Sequence, residues 1–144
     1  DRCGRKGAAR PGGLGAGMAL TVLVQHSRSE LREAAAAALE AAGMAVRRSC
    51  DGAEGLALLR SASVDVILTG INMRRVCGFG FIEAVRRQAR LRDIPILVMA
   101  VSATPQLKAR ARNAGAAGWL PYPLDPVRLV ETVRTVAAPD GRPP

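Results

Sequence analysis

Aromatic side chains are nearly missing from this chain: one Trp, one Tyr and two Phe make up 3% of its 144 residues. Its core must therefore be built from Val, Leu, Ile and Ala, and no interleaved aromatics are present on which nucleic-acid bases could stack. No apolar run approaches the roughly 20 residues of a membrane helix. The opening segment is charged and Gly-rich, without the apolar stretch of a secretory signal before Met18. Histidine occurs once, and the three cysteines (Cys3, Cys50, Cys77) stand at no metal-ligand spacing. They read as free thiols in a reducing compartment, which makes a soluble cytoplasmic protein with no membrane contact the expectation.

Positive charge is what the chain has in excess, with a formal net charge of +9. A basic balance favours nucleic acid or an acidic partner, but neither a helix-turn-helix signature nor a zinc-finger spacing accompanies it. Arginine pairs such as Arg86 and Arg87 read as solvated helix faces. Residues 1–17, with Arg2, Arg5, Lys6 and Arg10 against Asp1, read as a disordered basic, Gly-rich lead or an expression remnant. Met18 reads as an original start, 18–138 as one domain, and 139–144 as a disordered tail with no output domain after it. The Gly13–Gly17 stretch precedes the first strand, so it fails the strand-to-helix context of a phosphate loop.

From Leu20 the punctuation is regular. Leu20–Val24 is a short apolar run of the buried parallel-strand kind. Ser27 and Glu30 stand in capping-box spacing before an Ala-rich helix that ends at Gly43. Ala45–Ser49 is a weaker, more polar strand suited to a sheet edge, and Asp51 with Glu54 opens a helix through about Arg60. Val64–Thr69 is a third strand, followed after a loop by a helix from about Phe79 to Ala89. Ile94–Ala100 is a fourth strand, and Pro105–Ala114 a helix closed by Gly115. Gly118–Leu120 is a fifth strand, and Asp125-Pro126 launches a helix over Val127–Ala137. Five βα units imply a parallel sheet covered on both faces, with its working site at the carboxyl ends of the strands: just after Val24, Thr69, Ala100 and Leu120.

Four stretches at those ends carry a family likeness: Val22–Ser29 (VLVQHSRS), Val64–Gly78 (VDVILTGINMRRVCG), Ile94–Ala103 (IPILVMAVSA) and Asn113–Pro126 (NAGAAGWLPYPLDP). Together they resemble the receiver domain of bacterial response regulators, the single-domain chemotaxis type above all, from Leu20 to Val136. The Gly-Ala-x-Gly-aromatic-Leu-x-x-Pro piece is the most distinctive. The resemblance implies a (βα)5 doubly wound, flavodoxin-like parallel sheet with strand order 2-1-3-4-5. It also implies a chemistry. A receiver takes a phosphoryl group from a histidine kinase or small phosphodonor onto an Asp ending the third strand. Two acidic residues after the first strand help hold Mg²⁺, while a hydroxyl after the fourth and a Lys after the fifth bind phosphoryl oxygens.

At the positions that match, this chain carries none of those five groups. Gln25 and His26 occupy the acidic pair, Gly70 the acceptor position, Ala100 that of the hydroxyl, and Tyr122 that of the Lys before Pro123. Arg74 and Cys77 replace a Pro and an Asp of the pattern. Ser27, Asn72, Met73, Gly78, Gly115, Ala116, Gly118 and Pro123 keep the scaffold. Asn72 matches a position that offers a metal its backbone carbonyl, which alone will not hold Mg²⁺, so the metal site is expected to be lost and no cofactor is expected. Tyr122-Pro123 keeps an X-Pro bond that the family uses in cis.

No substitute acceptor is evident. Asp65 lies toward the wrong end of the sheet, and Asp51 reads as an N-cap. His26 reads as a partly exposed loop residue, and Cys77, beside Arg74 and Arg75, as a loop cysteine whose thiol those cations could activate. Trp119 matches the family's aromatic switch position; without a hydroxyl at Ala100 it is expected to keep one rotamer on the face formed by the fourth helix, fifth strand and fifth helix. The reading is a non-enzymatic pseudo-receiver in phosphorelay signalling, acting by contact with a histidine kinase, a chemotaxis or flagellar component, or another receiver. The alternatives are a phosphoacceptor using an unusual residue and, less favoured, a basic nucleic-acid-binding protein.

Overall fold

Leu23, Ile67, Ile96 and Val98 face one way along their strands, and Val22, Val24, Val66, Leu68, Leu97 and Met99 the other; all are fully or almost fully buried. This period of two, apolar on both sides, is what a central parallel strand requires. In the computed structural model, which describes residues 19–101 and 104–138, the strands are β1 (Thr21–Gln25), β2 (Ala45–Ser49), β3 (Val66–Thr69), β4 (Ile96–Ala100) and β5 (Gly118–Pro121). They form one parallel sheet in the order β2-β1-β3-β4-β5, the order expected of a flavodoxin-like receiver fold. The polar strand β2 lies at an edge, paired only with β1.

The helices are α1 (Ser29–Ala41), α2 (Gly52–Ser61), α3 (Gly78–Arg87), α4 (Pro105–Ala114) and α5 (Pro126–Ala137). Leu39 of α1 and Leu129 and Val133 of α5 cover the face holding Val22, Val24, Leu68 and Met99. Leu59 of α2, Phe81, Ile82 and Val85 of α3 and Ala111 of α4 cover the opposite face. The expected lead and tail, Met18, Ser102 and Ala103 lie outside the described residues; among the described residues no helix is long and apolar enough to cross a membrane.

Local signals placed several helix ends correctly. Asp51 accepts the Glu54 N–H at 2.9 Å, Asp125 accepts the Val127 N–H at 3.0 Å, and Gly115 closes α4 with φ of 122°. Three readings need correction. Helix α1 has no capping box: its N-cap is Arg28, and the Ser27 hydroxyl instead donates to the Asn72 carbonyl at 3.1 Å, across the gap to the β3 loop. Helix α3 stops at Arg87, because Gln88 is extended, and a 3₁₀ turn over Ala89–Leu91 then drops Leu91 into the core. The expectation of free thiols holds for Cys77, which is free and exposed, but not for Cys50, which is engaged.

Candidate functional site

The sheet order reverses around β1, so the loops leaving β1 and β3 flank a crevice at the carboxyl edge. Gln25 ends β1 with its side chain on the α2–α3 face, fully buried. Its Nε2 donates to Thr69 Oγ1 at 3.0 Å, and its Oε1 lies 3.0 Å from the Ser49 hydroxyl. That hydroxyl also reaches the Asp51 carbonyl at 2.8 Å, and Thr69 donates to the Gly70 carbonyl at 2.9 Å. The amide is thus held by hydroxyls from the two strands beside it, in a neutral network that leaves little unsatisfied. Glycine at 55 on α2 leaves room for this amide, since a Cβ there would run into Gln25 Oε1. Reading along the sequence missed Ser49 and Thr69; a buried amide flanked by two strand-end hydroxyls was the available signal.

His26 turns to the opposite, α1–α5 face. Expected to be partly exposed, it is buried, with 9% of its surface accessible. The reason is Gly70: a Cβ built there would lie 2.6 Å from His26 Cδ2 and 3.0 Å from its Nε2, so the ring occupies the space that a side chain at 70 would need. His26 Nδ1 accepts the Arg28 N–H at 3.0 Å, which leaves the proton of the neutral ring on Nε2. Burial is the main cause that lowers the His26 pKa from 6.5, followed by the Arg28 and Arg32 cations, with Glu30 opposing. Arg32 also donates to the His26 carbonyl at 2.8 Å.

Tyr122 meets His26 edge-on, with ring centroids 6.1 Å apart and planes at 77°. Burial pushes its phenol pKa up to about 12, with Arg28 opposing weakly, so the hydroxyl keeps its proton. That hydroxyl lies 3.9 Å from Met99 Sδ. The Tyr122-Pro123 bond is cis. Ala100 and Trp119 sit on the other face, packed with Leu107 against the α2–α4 core, and Trp119 Nε1 is buried with no acceptor among the described residues.

Asp51 is buried at the end of β2, where besides capping α2 it accepts from Arg75 Nε at 3.0 Å and Nη2 at 3.2 Å. Arg75 adopts φ of 48°, and Cys77 precedes the first residue of α3. Asp65 lies at the amino edge, its Oδ2 accepting the Thr21 N–H at 2.8 Å. His26, Asn72, Ala100 and Tyr122 line one cavity of about 380 Å³, whereas Gln25, Gly70 and Trp119 are not among its described lining residues.

A divalent cation suits this donor set poorly. Mg²⁺ takes oxygen ligands, with carboxylates supplying the countercharge. Here the pair after β1 is an amide committed to two hydroxyls and an imidazole over a glycine; the Asn72 carbonyl accepts from Ser27, and Asp51 is held by Arg75. Among the described residues no three His, Cys, Asp or Glu gather as a metal-holding group.

Residues 22–134 match the family model of the response regulator receiver domain. Protein PilH of Pseudomonas aeruginosa is 29% identical over 121 residues, covering 84% of this chain and 99% of that protein. The DNA-binding dual master transcriptional regulator RpaA of Synechocystis is 32% identical over 98 residues, 68% of this chain, but the match spans only 41% of that protein. Among solved structures, the chemotaxis response regulator CheY4 of Vibrio cholerae superposes with a TM-score of 0.78 at 34% identity, covering 83% of this chain and 99% of that one.

Proposed function

The chain belongs to the response regulator receiver domain family of two-component signalling, and we propose that it is a pseudo-receiver, which signals by protein contact without accepting a phosphoryl group. The observation that carries this reading is Gly70 at the acceptor position with the His26 ring over it. Phosphoryl transfer depends on a placed nucleophile and on charges aimed at the moving group. Position 70 has no nucleophile, and the imidazole covers the space where one would stand. Asp51, the carboxylate nearest in role, is tied to a helix cap and to Arg75. The same facts favour loss of the Mg²⁺ site.

Receiver domains are signalling modules, and the partners fitting this one are a histidine kinase, a chemotaxis or flagellar component, or another receiver. Val127 at the start of α5 and Val101 after β4 are exposed large hydrophobic side chains, which such a partner could cover. Trp119, packed against the core with no hydroxyl at Ala100 to respond to, holds that face in one state. The test is incubation with acetyl phosphate and Mg²⁺ followed by intact-mass measurement. The expected result is no added phosphoryl group; a stable adduct would instead support an acceptor of unusual type.

A further inference from the structure

The cavity over His26 has a divided wall. Its volume of about 380 Å³ falls within the range of small-molecule sites, roughly 300–1,000 Å³, and it opens beside the reversal of strand order where open parallel sheets receive ligands. Leu31 of α1, Ile71 after β3 and Leu107 of α4 form an apolar part, and Arg28, His26 and Tyr122 a polar one. Each of those three offers a hydrogen. A guanidinium has donors only. His26 spends its Nδ1 lone pair on the Arg28 N–H, so Nε2 carries the proton, and the protonated Tyr122 phenol faces only the weak acceptor Met99 Sδ at 3.9 Å, which an anion would outcompete. The Asn72 carbonyl, a potential acceptor in the wall, is engaged by the Ser27 hydroxyl. No Asp or Glu is among the described lining residues; Glu30 lies outside on α1, exposed, and meets Arg28 at 3.0 Å. An edge that would need carboxylates to hold a cation has here the opposite polarity, set above an apolar wall.

We propose that this cavity binds a small monoanion with an apolar body, an aryl or short-alkyl carboxylate. Its head meets Arg28, His26 and Tyr122, displacing the exposed Glu30 carboxylate from Arg28, and its body lies against Leu31, Ile71 and Leu107. The proposal rests on the reading that the site no longer receives a phosphoryl group. Occupancy acts on the contact face through Leu107 on α4 and Tyr122 just past β5.

The test is isothermal titration of the whole chain with benzoate, with benzyl alcohol as the neutral comparator and inorganic phosphate as the anion without an apolar body. Benzoate is expected to bind saturably, with a dissociation constant on the order of 1 mM or tighter, and both comparators about tenfold or more weaker. Arg28→Gln, at an exposed position, is expected to weaken benzoate about tenfold, and Ala100→Leu, which fills the cavity, to remove binding; circular dichroism melts check that both variants fold. Absence of saturable heat up to about 20 mM benzoate overturns the proposal. So does phosphate or benzyl alcohol binding as tightly as benzoate, a result that needs no variant. Mass measurement after acetyl phosphate treatment of the same preparation keeps the two readings apart, since an adduct overturns the pseudo-receiver and a flat benzoate titration overturns the ligand alone.

Discussion

The imidazole of His26 occupies the volume that a side chain at Gly70 would fill: a Cβ there would stand 2.6 Å from His26 Cδ2, against ring atoms also packed edge-on by Tyr122. The two residues are 44 positions apart, on the loop after β1 and at the end of β3. The absence of a side chain at Gly70 is what gives the imidazole its room.

The first prediction is a coupling. Gly70→Asp alone should destabilise the fold by about 1–3 kcal/mol, the usual range for overpacking a well-filled site. His26→Ala alone should cost stability by emptying the same space. The double variant should be more stable than the sum of the two losses predicts, with a coupling of at least about 0.5 kcal/mol in urea melts. Strict additivity would mean that the ring moves aside at no cost.

The second concerns pH. The His26 pKa in the fold is lowered below 6.5, chiefly by burial, so near neutrality the folded ring is uncharged. As pH falls through about 6.5 the unfolded chain takes up a proton that the folded chain still refuses, so stability falls with pH from there down to the folded pKa and then levels. The urea midpoint of the native chain should drop between about pH 7.5 and pH 5.5 by more than that of His26→Gln. Equal drops would place the ring in contact with water.

What the sequence made legible follows from how far apart the partners lie. The central strands could be read because burial on both faces leaves a mark in the residues themselves, and Asp51 could be read as a cap because its partner Glu54 is three residues away. Ser27 was misassigned because its hydroxyl goes to the Asn72 carbonyl, 45 residues on, instead of into α1. His26 was expected to be partly exposed because nothing beside it in the chain says that Gly70 makes room for it. The hydroxyls that hold Gln25 and the arginine that meets Asp51 are likewise 24 or 44 residues away from their partners. The five positions that depart from the family pattern are legible only against that pattern; the hydroxyls around Gln25 and the imidazole over Gly70 belong to the fold.

Asp51 provides a third prediction, because its two interactions differ in worth. Its partner Arg75 has a side chain 63% exposed, so the ion pair is screened and contributes roughly 0–1 kcal/mol. An N-cap contributes about 1 kcal/mol, and up to about 2 kcal/mol in favourable cases. Asp51→Asn keeps an oxygen for the Glu54 N–H and should cost little, whereas Asp51→Ala should cost about 1–2 kcal/mol. Chemical denaturation of both, with Arg75→Gln beside them, separates the contributions. If Arg75→Gln costs as much as Asp51→Ala, the ion pair and not the cap holds the residue.

The fourth prediction is indifference to Mg²⁺. Carboxylates crowded at one edge of a sheet repel one another, and a bound divalent cation relieves that repulsion by binding the native state alone, which raises the melting midpoint with metal concentration. In this chain the last residue of β1 is a hydrogen-bonded amide, the next an imidazole whose protonation is disfavoured, and position 70 bears no side chain. Cations cluster there instead: Arg28 and Arg32 are close enough to His26 to lower its pKa. A divalent ion would meet these guanidinium groups, while Glu30, Glu33 and Asp51 are paired with Arg28, Arg32 and Arg75 and do not stand free to offset its dehydration. Thermal melts in Mg²⁺ and in a chelating agent should therefore superimpose. Because Gly70→Asp returns only one carboxylate and displaces His26, that variant should not gain a metal response either. A midpoint that climbs with Mg²⁺ in the native chain would require oxygen ligands at this edge beyond those described, and would reopen the family chemistry.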